Sequence, residues 1–510
     1  MLLETVLSLS ATSWLLVIVG VVTLIYFLTS ERDNRKLPPS PGLALPIVGH
    51  LFLVERNPIQ QLQKWRERLG DIFMLRMGST NMVFLNGHDV LKEALVKKAD
   101  VFSDRPPSAL RHVFPDVHNG VIAASGPNWK EQRTTSLAIL REFGMGKNIL
   151  ADKIAEEVDV YVNELLKHKG QPTELRKITN MSVSNVICAI IFGRRYELND
   201  KRFAKMMDIF NELVKTSAST SAFQFFPFLL YSPIDFVGVQ QLIAIIKESR
   251  DFTESIVKER LEGFDPEVMD SFVAAYRRDM EKKQDSGVHT YLDEKNLTRV
   301  IANLFVAGTE TTASTILWCY LFLLHHPDVQ EKIYKEICEH IGTHRVPTMQ
   351  DKPKLKYLQA VIYETLRLAN IVPLSLTHMV TEDTELRGYV IPKGAIVVPN
   401  LYSALMDEKV WGDPQNFRPE RFLDSQGNIV KKEELIPFSL GRRVCLGEAL
   451  AQMELILYLS TMFQRFEFLP ADPSNLPPIN GVFGVTMPPE AFQIRCVERK
   501  QFNNNVIRND

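Results

Sequence analysis

Between Val300 and Leu324 the chain runs for 25 residues with one charge, Glu310. Few folds can accommodate such a run. Its length suffices to cross a bilayer core of about 30 Å, but an acid at mid-bilayer is costly. The alternative is a helix apolar on all sides, threaded through the middle of a large domain. The centre of the run, Ala307-Gly-Thr-Glu-Thr-Thr312, is small and polar. Gly308 costs about 1 kcal/mol relative to Ala in a helix interior, a loss that makes sense where something must approach the backbone. Thr311 and Thr312 can donate to carbonyls a turn back and bend the helix. A locally opened helix beside an acid and a hydroxyl could hold water and move protons. These features favour the buried helix.

A second apolar run lies near the N-terminus, where no charge occurs from Thr5 to Ser30. A cleaved signal peptide needs a basic n-region and an apolar core of about 7–15 residues. Glu4 is the only charged side chain before this run, and the run is longer than that. A retained transmembrane anchor over residues 1–30 is expected. Arg32, Arg35 and Lys36 follow it and outnumber Glu31 and Asp33, which predicts a cytosolic body. Residues 31–49 form a basic, proline-rich strut containing Leu37-Pro-Pro-Ser-Pro-Gly42, stiffened by fixed proline φ. Residues 50–510 then form one catalytic domain, since no later linker or repeat occurs. With 59 Lys+Arg against 61 Asp+Glu the net charge is −2. A nucleic-acid binder would carry a basic excess.

The body is predicted to be mainly α with a small β-sheet region. Amphipathic helices are expected at Ala151–Lys167, Gln240–Leu261 and Pro327–His340. One hairpin is expected from Ile72–Met77 and Met82–Leu85 across Gly78-Ser-Thr-Asn81. A second is expected from Leu386–Ile391 and Ala395–Pro399 across Pro392-Lys-Gly394.

The five cysteines include no Cys-x-x-Cys pair, which argues against a zinc ribbon or a disulfide framework. One of them is distinctive. In Phe438-Ser-Leu-Gly-Arg-Arg-Val-Cys-Leu-Gly447, glycines four residues before and two after Cys445 suit a tight loop that exposes its sulfur and backbone N–H groups. Arg443 supplies positive charge nearby. A lone cysteine is ordinarily an inert buried thiol; four fixed positions around this one point instead to a ligand. The histidine pairs His325-His326 and His340/His344 are expected at the surface, without a metal.

The decapeptide resembles the haem-binding signature of the cytochrome P-450 haem-thiolate monooxygenases. Glu364-Thr-Leu-Arg367 is similar to the family's Glu-x-x-Arg motif, Pro419-Glu-Arg-Phe422 to its later Arg-bearing motif, Ala307–Thr312 to its oxygen-activating helix, and Trp129-Lys-Glu-Gln-Arg133 to its Trp-x-x-x-Arg. The resemblance runs from the strut to about Val497 and is nearest the animal microsomal class of drug, steroid and fatty-acid hydroxylases. It departs slightly in having Ser40 and Thr134 where relatives often carry Gly and Arg.

The resemblance implies haem b with Cys445 as the iron ligand. Trp129, Arg133, His378 and Arg443, with Arg105 as a weaker candidate, would hold the propionates. Glu310 and Thr311 would organise proton delivery, and Phe438 would pack beside the thiolate. Glu364, Arg367 and Arg421 would form a buried structural cluster. No Gly-x-Gly-x-x-Gly loop in a strand–helix setting occurs, so a separate NADPH–cytochrome P-450 reductase would supply electrons. A lipophilic small-molecule substrate, dioxygen and the bilayer complete the implied partners, in the endoplasmic reticulum membrane, single-pass. The alternatives are a haem-thiolate isomerase or dehydratase, and a non-catalytic haem-binding sensor.

Overall fold

The computed structural model describes residues 35–499 except 146–147, 233–234, 236–237 and 266, together with residues 10, 14, 17, 20 and 21. The expected anchor over residues 1–30 lies largely outside the described residues.

The fold is mainly helical. Its axis is one unbroken helix, Glu294–His325. Asp293 caps the start by accepting from the Asn296 N–H, and Pro327 enforces the end. From Ala313 to Leu324 every residue is buried. Each large apolar side chain there gains about 1.5–3 kcal/mol from burial, which outweighs the glycine at 308. The helix is thus long and apolar enough for a membrane, yet it is enclosed by protein. Around it pack the helices Arg176–Ile191, Val239–Leu261, Lys356–Ala369 and Glu448–Arg465. What approaches Gly308 is Ile187 of a neighbouring helix: a Cβ at 308 would come within 2.5 Å of its Cδ1. No local opening interrupts the helix at Thr311.

The three long amphipathic helices form at Asn148–Lys167, Val239–Leu261 and Pro327–His340. The first hairpin forms too, from β1 (Ile72–Met77) and β2 (Thr80–Asn86). A short β3 (Thr173–Glu174) follows, then β4 (His378–Met379), β5 (Thr384–Leu386), β6 (Tyr389–Ile391) and β7 (Ile396–Asn400), and finally β8 (Phe466–Pro470) and β9 (Gln493–Glu498). One sheet has the order β1-β2-β7-β4, a second β3-β9-β8, a third β5-β6.

The second hairpin is corrected by this topology. It closes one turn earlier, between β5 and β6, at Arg387-Gly388. Both residues have positive φ, 52° and 79°, the geometry that matches strand twist in a two-residue turn. Pro392–Gly394 instead turns the chain out of that ribbon, and β7 pairs in parallel with β2 and antiparallel with β4.

Candidate active site

Cys445 stands between a strained loop and a helix start. Ser439 and Gly441 both have positive φ, and a Cβ at Gly441 would lie 1.9 Å from the Leu95 carbonyl oxygen, so only glycine fits. At Gly447 φ is ordinary, and a Cβ would meet nothing within 4 Å. The Cys445 N–H donates to Phe438 O at 3.0 Å, which pins the loop. Three residues on, Glu448–Arg465 begins, so the sulfur sits before a helix N-terminus, a placement that favours a thiolate. Burial pushes the Cys445 thiol up, against the pull of the Gly447 and Glu448 N–H groups and of Arg133. The residue nevertheless keeps an exposed face.

Cations crowd beside it, with Asp104 and Glu448 the carboxylates in range. The helix Gly126–Glu142 carries Trp129 and Arg133 four residues apart, on one face. Arg133 Nη2 donates to Val444 O at 2.7 Å, next to the sulfur. Arg443 donates to Ser103 O at 2.8 Å and to Ala124 O at 2.7 Å. Arg105 Nη1 donates to Leu376 O and Thr377 O at 2.9 and 2.7 Å, which ties it to the residue before His378. Among the described residues none of Arg105, Arg133 or Arg443 forms an ion pair. Burial pushes Arg105 down to about 10, and burial with repulsion from Arg105 pushes Arg443 down to about 9. Among the described residues Trp129 Nε1 and Arg443 Nη1 are buried with no partner. Burial and Arg105 drive His378 down to about 3 while its Nδ1 lies 2.6 Å from Phe102 O. A neutral His378 donating there has only a lone pair at Nε2, so it can serve an anion only as imidazolium.

Burying three unpaired guanidiniums and two unsatisfied nitrogens is unfavourable unless an anion compensates. Two carboxylates on a flat apolar group, at the edge of a site with an open thiol, supply that compensation. These residues therefore fit haem, and all five donors named from the sequence are brought together.

On the central helix, Ala307 is exposed and Thr311 half-exposed, whereas Thr309 and Thr312 are buried. Thr311 Oγ1 donates to Ala307 O at 2.7 Å. Thr312 does not back-bond; it donates to Glu454 Oε2 at 2.9 Å. Burial raises Glu310, with a Thr486 hydrogen bond and Arg176 opposing. Away from the site, Glu364 binds Arg367 Nε at 2.8 Å and Arg421 Nε at 3.0 Å, all essentially without exposure. His340 and His344 are exposed, whereas His325 and His326 are half-buried, His325 near Pro477 O and His326 against Phe417. The described residues contain no cluster of His, Cys, Asp and Glu fit for a metal.

The sequence matches the family model described as Cytochrome P-450 over residues 38–496. The chain belongs to the cytochrome P-450 family. It is 39% identical to cytochrome P-450 2U1 of Bos taurus over 493 residues, covering 91% of this chain and 90% of the relative. It is 37% identical to cytochrome P-450 2B19 of Mus musculus, with 93% and 96% covered, and 38% identical to cytochrome P-450 2B12 of Rattus norvegicus, with 95% and 99% covered. The protein is thus a haem b monooxygenase of the animal microsomal class, in which NADPH is the ultimate electron source.

Glu454 escaped the sequence reasoning. It is the single charge from Ala449 to Phe463, the same signal that drew attention to Glu310.

Proposed function

We propose that the protein inserts one atom of dioxygen into a lipophilic organic substrate, with electrons passed from NADPH by a separate reductase. The observation that carries this is the pair of buried nitrogens without a partner among the described residues, Trp129 Nε1 and Arg443 Nη1, in a cluster with Arg105, Arg133 and His378 beside the open thiol of Cys445. Cys445 would ligate the iron and the five donors would hold the propionates. Thiolate-bound haem iron supplies reductive activation of dioxygen and cleavage of its O–O bond. The chain's own residues do the rest. Arg443 and Trp129 orient the ring through its carboxylates, and Arg133 clamps the cysteine loop through the Val444 carbonyl. Glu310, whose carboxyl burial raises, restocks protons at Thr311. Thr311 spends its hydroxyl proton on Ala307 O, so its lone pairs remain free to accept from water.

The domain plan stands beside this as a proposal: residues 1–30 an anchor in the endoplasmic reticulum membrane, 31–49 a strut, 50–510 the catalytic domain on the cytosolic side. Exposed Leu43, Leu45, Ile47, Phe52, Phe228 and Tyr231 support a second contact with the bilayer. In the Phe-rich stretch, Phe223 and Phe226 are buried, so Phe228 is the residue left to enter lipid.

The test is dioxygen consumption by the purified protein with a purified microsomal reductase. NADPH-dependent uptake is expected. Isomerase or dehydratase turnover without NADPH, or haem binding without turnover, would replace this reading.

A further inference from the structure

The central helix carries a second arginine site that the chemistry above does not use. Arg299 lies four residues before Asn303, eight before Ala307 and eleven before Glu310, which puts all four on one side of the helix. That side is not closed by packing: Ala307 is exposed, and Asn303 and Glu310 are half-exposed. Ile301, Phe305 and Thr309, on the opposite side, are buried.

The guanidinium of Arg299 lacks a counter-ion. Among the described residues it forms no ion pair, and its Nη2 is buried with no partner. Asp116 attracts it, but Asp116 Oδ1 lies 2.7 Å from Arg250 Nη1 on the helix Val239–Leu261. Arg250 also lies over the Phe114 ring, 5.3 Å from its centroid, so that pair is held together on two sides. Two guanidiniums therefore share one carboxylate, with one positive charge in surplus. Burial lowers Arg299, and Arg250 adds to this against the pull of Asp116.

The stem of Arg299 is nevertheless fixed. The loop Asn119–Ile122 lies against the helix. Its Gly120 N–H donates to Asn296 Oδ1 at 3.0 Å, and the Val121 and Ile122 N–H groups donate to Asn303 Oδ1 at 3.1 and 3.2 Å. At Gly120 φ is +82°, and a Cβ there would come within 2.7 Å of Arg299 Cγ. Two asparagines thus fasten the loop, and Arg299 takes no part in the fastening. An arginine with a structural task donates to the carbonyls beside it, as Arg105 Nε does to Ile122 O at 3.2 Å. A guanidinium positioned by packing on its stem, with a buried nitrogen left over, is unfavourable unless an anion compensates.

We infer that Arg299 anchors the acid group of the substrate, which is a lipophilic carboxylate lying along the open side of the helix, past Asn303 and Val306, toward Ala307 and Thr311. The inference deepens the monooxygenase reading and rests on it. The planar fork of a guanidinium matches a carboxylate with two parallel hydrogen bonds. At about 1.5 Å of rise per residue, the eight to twelve residues from Arg299 to Ala307 and Thr311 span about 12–18 Å. Oxygen is therefore inserted far from the acid end. The propionate donors lie at the other end of the same loop, where Arg443 binds Ala124 O, so the two anion sites are separate.

The experiment uses the full-length holoenzyme. Dodecanoic and hexadecanoic acids and their methyl esters are titrated by equilibrium dialysis and by the haem absorbance shift. The esters keep the chain and lose the charge. In the parent each acid should bind about 10- to 100-fold more tightly than its ester. Arg299→Gln should erase that preference. Arg299→Lys keeps the charge, loses the fork and should restore part of it. Equal binding of acid and ester by the parent overturns the anchor, as does an undiminished preference in Arg299→Gln. Loss of haem from both variants overturns it too, because the guanidinium would then serve the propionates or the fold. A parent that prefers the acids through Arg299 yet consumes no NADPH with reductase would bring down the monooxygenase reading and leave the carboxylate site in place.

Discussion

The guanidinium of Arg443 lies 3.8 Å from the centroid of the Trp129 ring, and each side chain keeps a buried nitrogen, Nη1 and Nε1, without a partner among the described residues. The stack holds two donors rigidly toward one place. A charged hydrogen bond is worth about 1.5–3 kcal/mol, so Arg443→Leu should weaken haem retention by roughly 10- to 100-fold. Trp129→Phe keeps the ring, loses one neutral donor and should cost less. The check is the haem-to-protein ratio after gel filtration. Full retention in both variants would place the propionates elsewhere.

Cys445→Ser should abolish the reduced-CO absorption band of thiolate-ligated haem, because only a soft anionic sulfur gives that electronic signature. Cys188, Cys319 and Cys496 are buried and Cys338 half-buried, away from the loop Phe438–Gly447. Serine at each of these should leave the band in place. A Cys445→Ser protein with the band intact would mean another ligand.

Glu364 accepts from Arg367, Arg421 and the Arg418 N–H. Removing its charge leaves Arg367 buried without a carboxylate and Arg421 with only Asp413 at 3.3 Å, for about 3–5 kcal/mol. Glu364→Gln should therefore lower the urea midpoint markedly while any folded fraction keeps the spectrum. A variant as stable as the parent but unable to bind haem would give the cluster a different role.

What the sequence disclosed follows the range of the interactions. Cys445, Gly441 and the helix start are neighbours along the chain, and so are Ala307 and Thr311, so their local arrangement was legible. The course of Val300–Leu324 through the interior, fully buried from Ala313 on, was legible because a single acid in 25 residues rules out most surroundings. Partners across the fold were not. β7 pairs with β2 some three hundred residues earlier, so the turn at Arg387-Gly388 and the true hairpin could not be separated from Pro392–Gly394 by local signals. Gly308 announced a close approach but not that Ile187 makes it. Thr312 carried the same back-bonding expectation as Thr311, and only tertiary contact with Glu454 distinguishes them.

Deleting residues up to Ser30 should weaken membrane attachment and leave the haem spectrum unchanged, since every residue of the described site lies beyond residue 94. Flotation with vesicles reads the first and absorbance the second. Partial binding should persist, and Phe228→Ser should reduce it further, because that side chain is 65% exposed. Haem loss on truncation would make the N-terminal segment part of the catalytic fold.

Thr311→Ala separates a relay from a helix-bending residue. Thr311 Oγ1 donates to Ala307 O at 2.7 Å, so the structural role is satisfied. That bond uses the only hydroxyl proton and leaves two lone pairs able to accept from water on the open side of the helix. A water so held is oriented to donate onward, and Glu310, raised by burial, can resupply it. Alanine removes the acceptor and leaves the unbroken helix intact. Haem, CO and substrate binding should survive, while peroxide per oxygenated product rises. Relays of this kind contribute about 10²–10⁴-fold, so the change should be large. Thr311→Ser keeps a hydroxyl and should couple close to the parent. Unchanged stoichiometry in a fully folded Thr311→Ala would leave the hydroxyl with only its bond to Ala307, and proton delivery would then have to reach the site by another route.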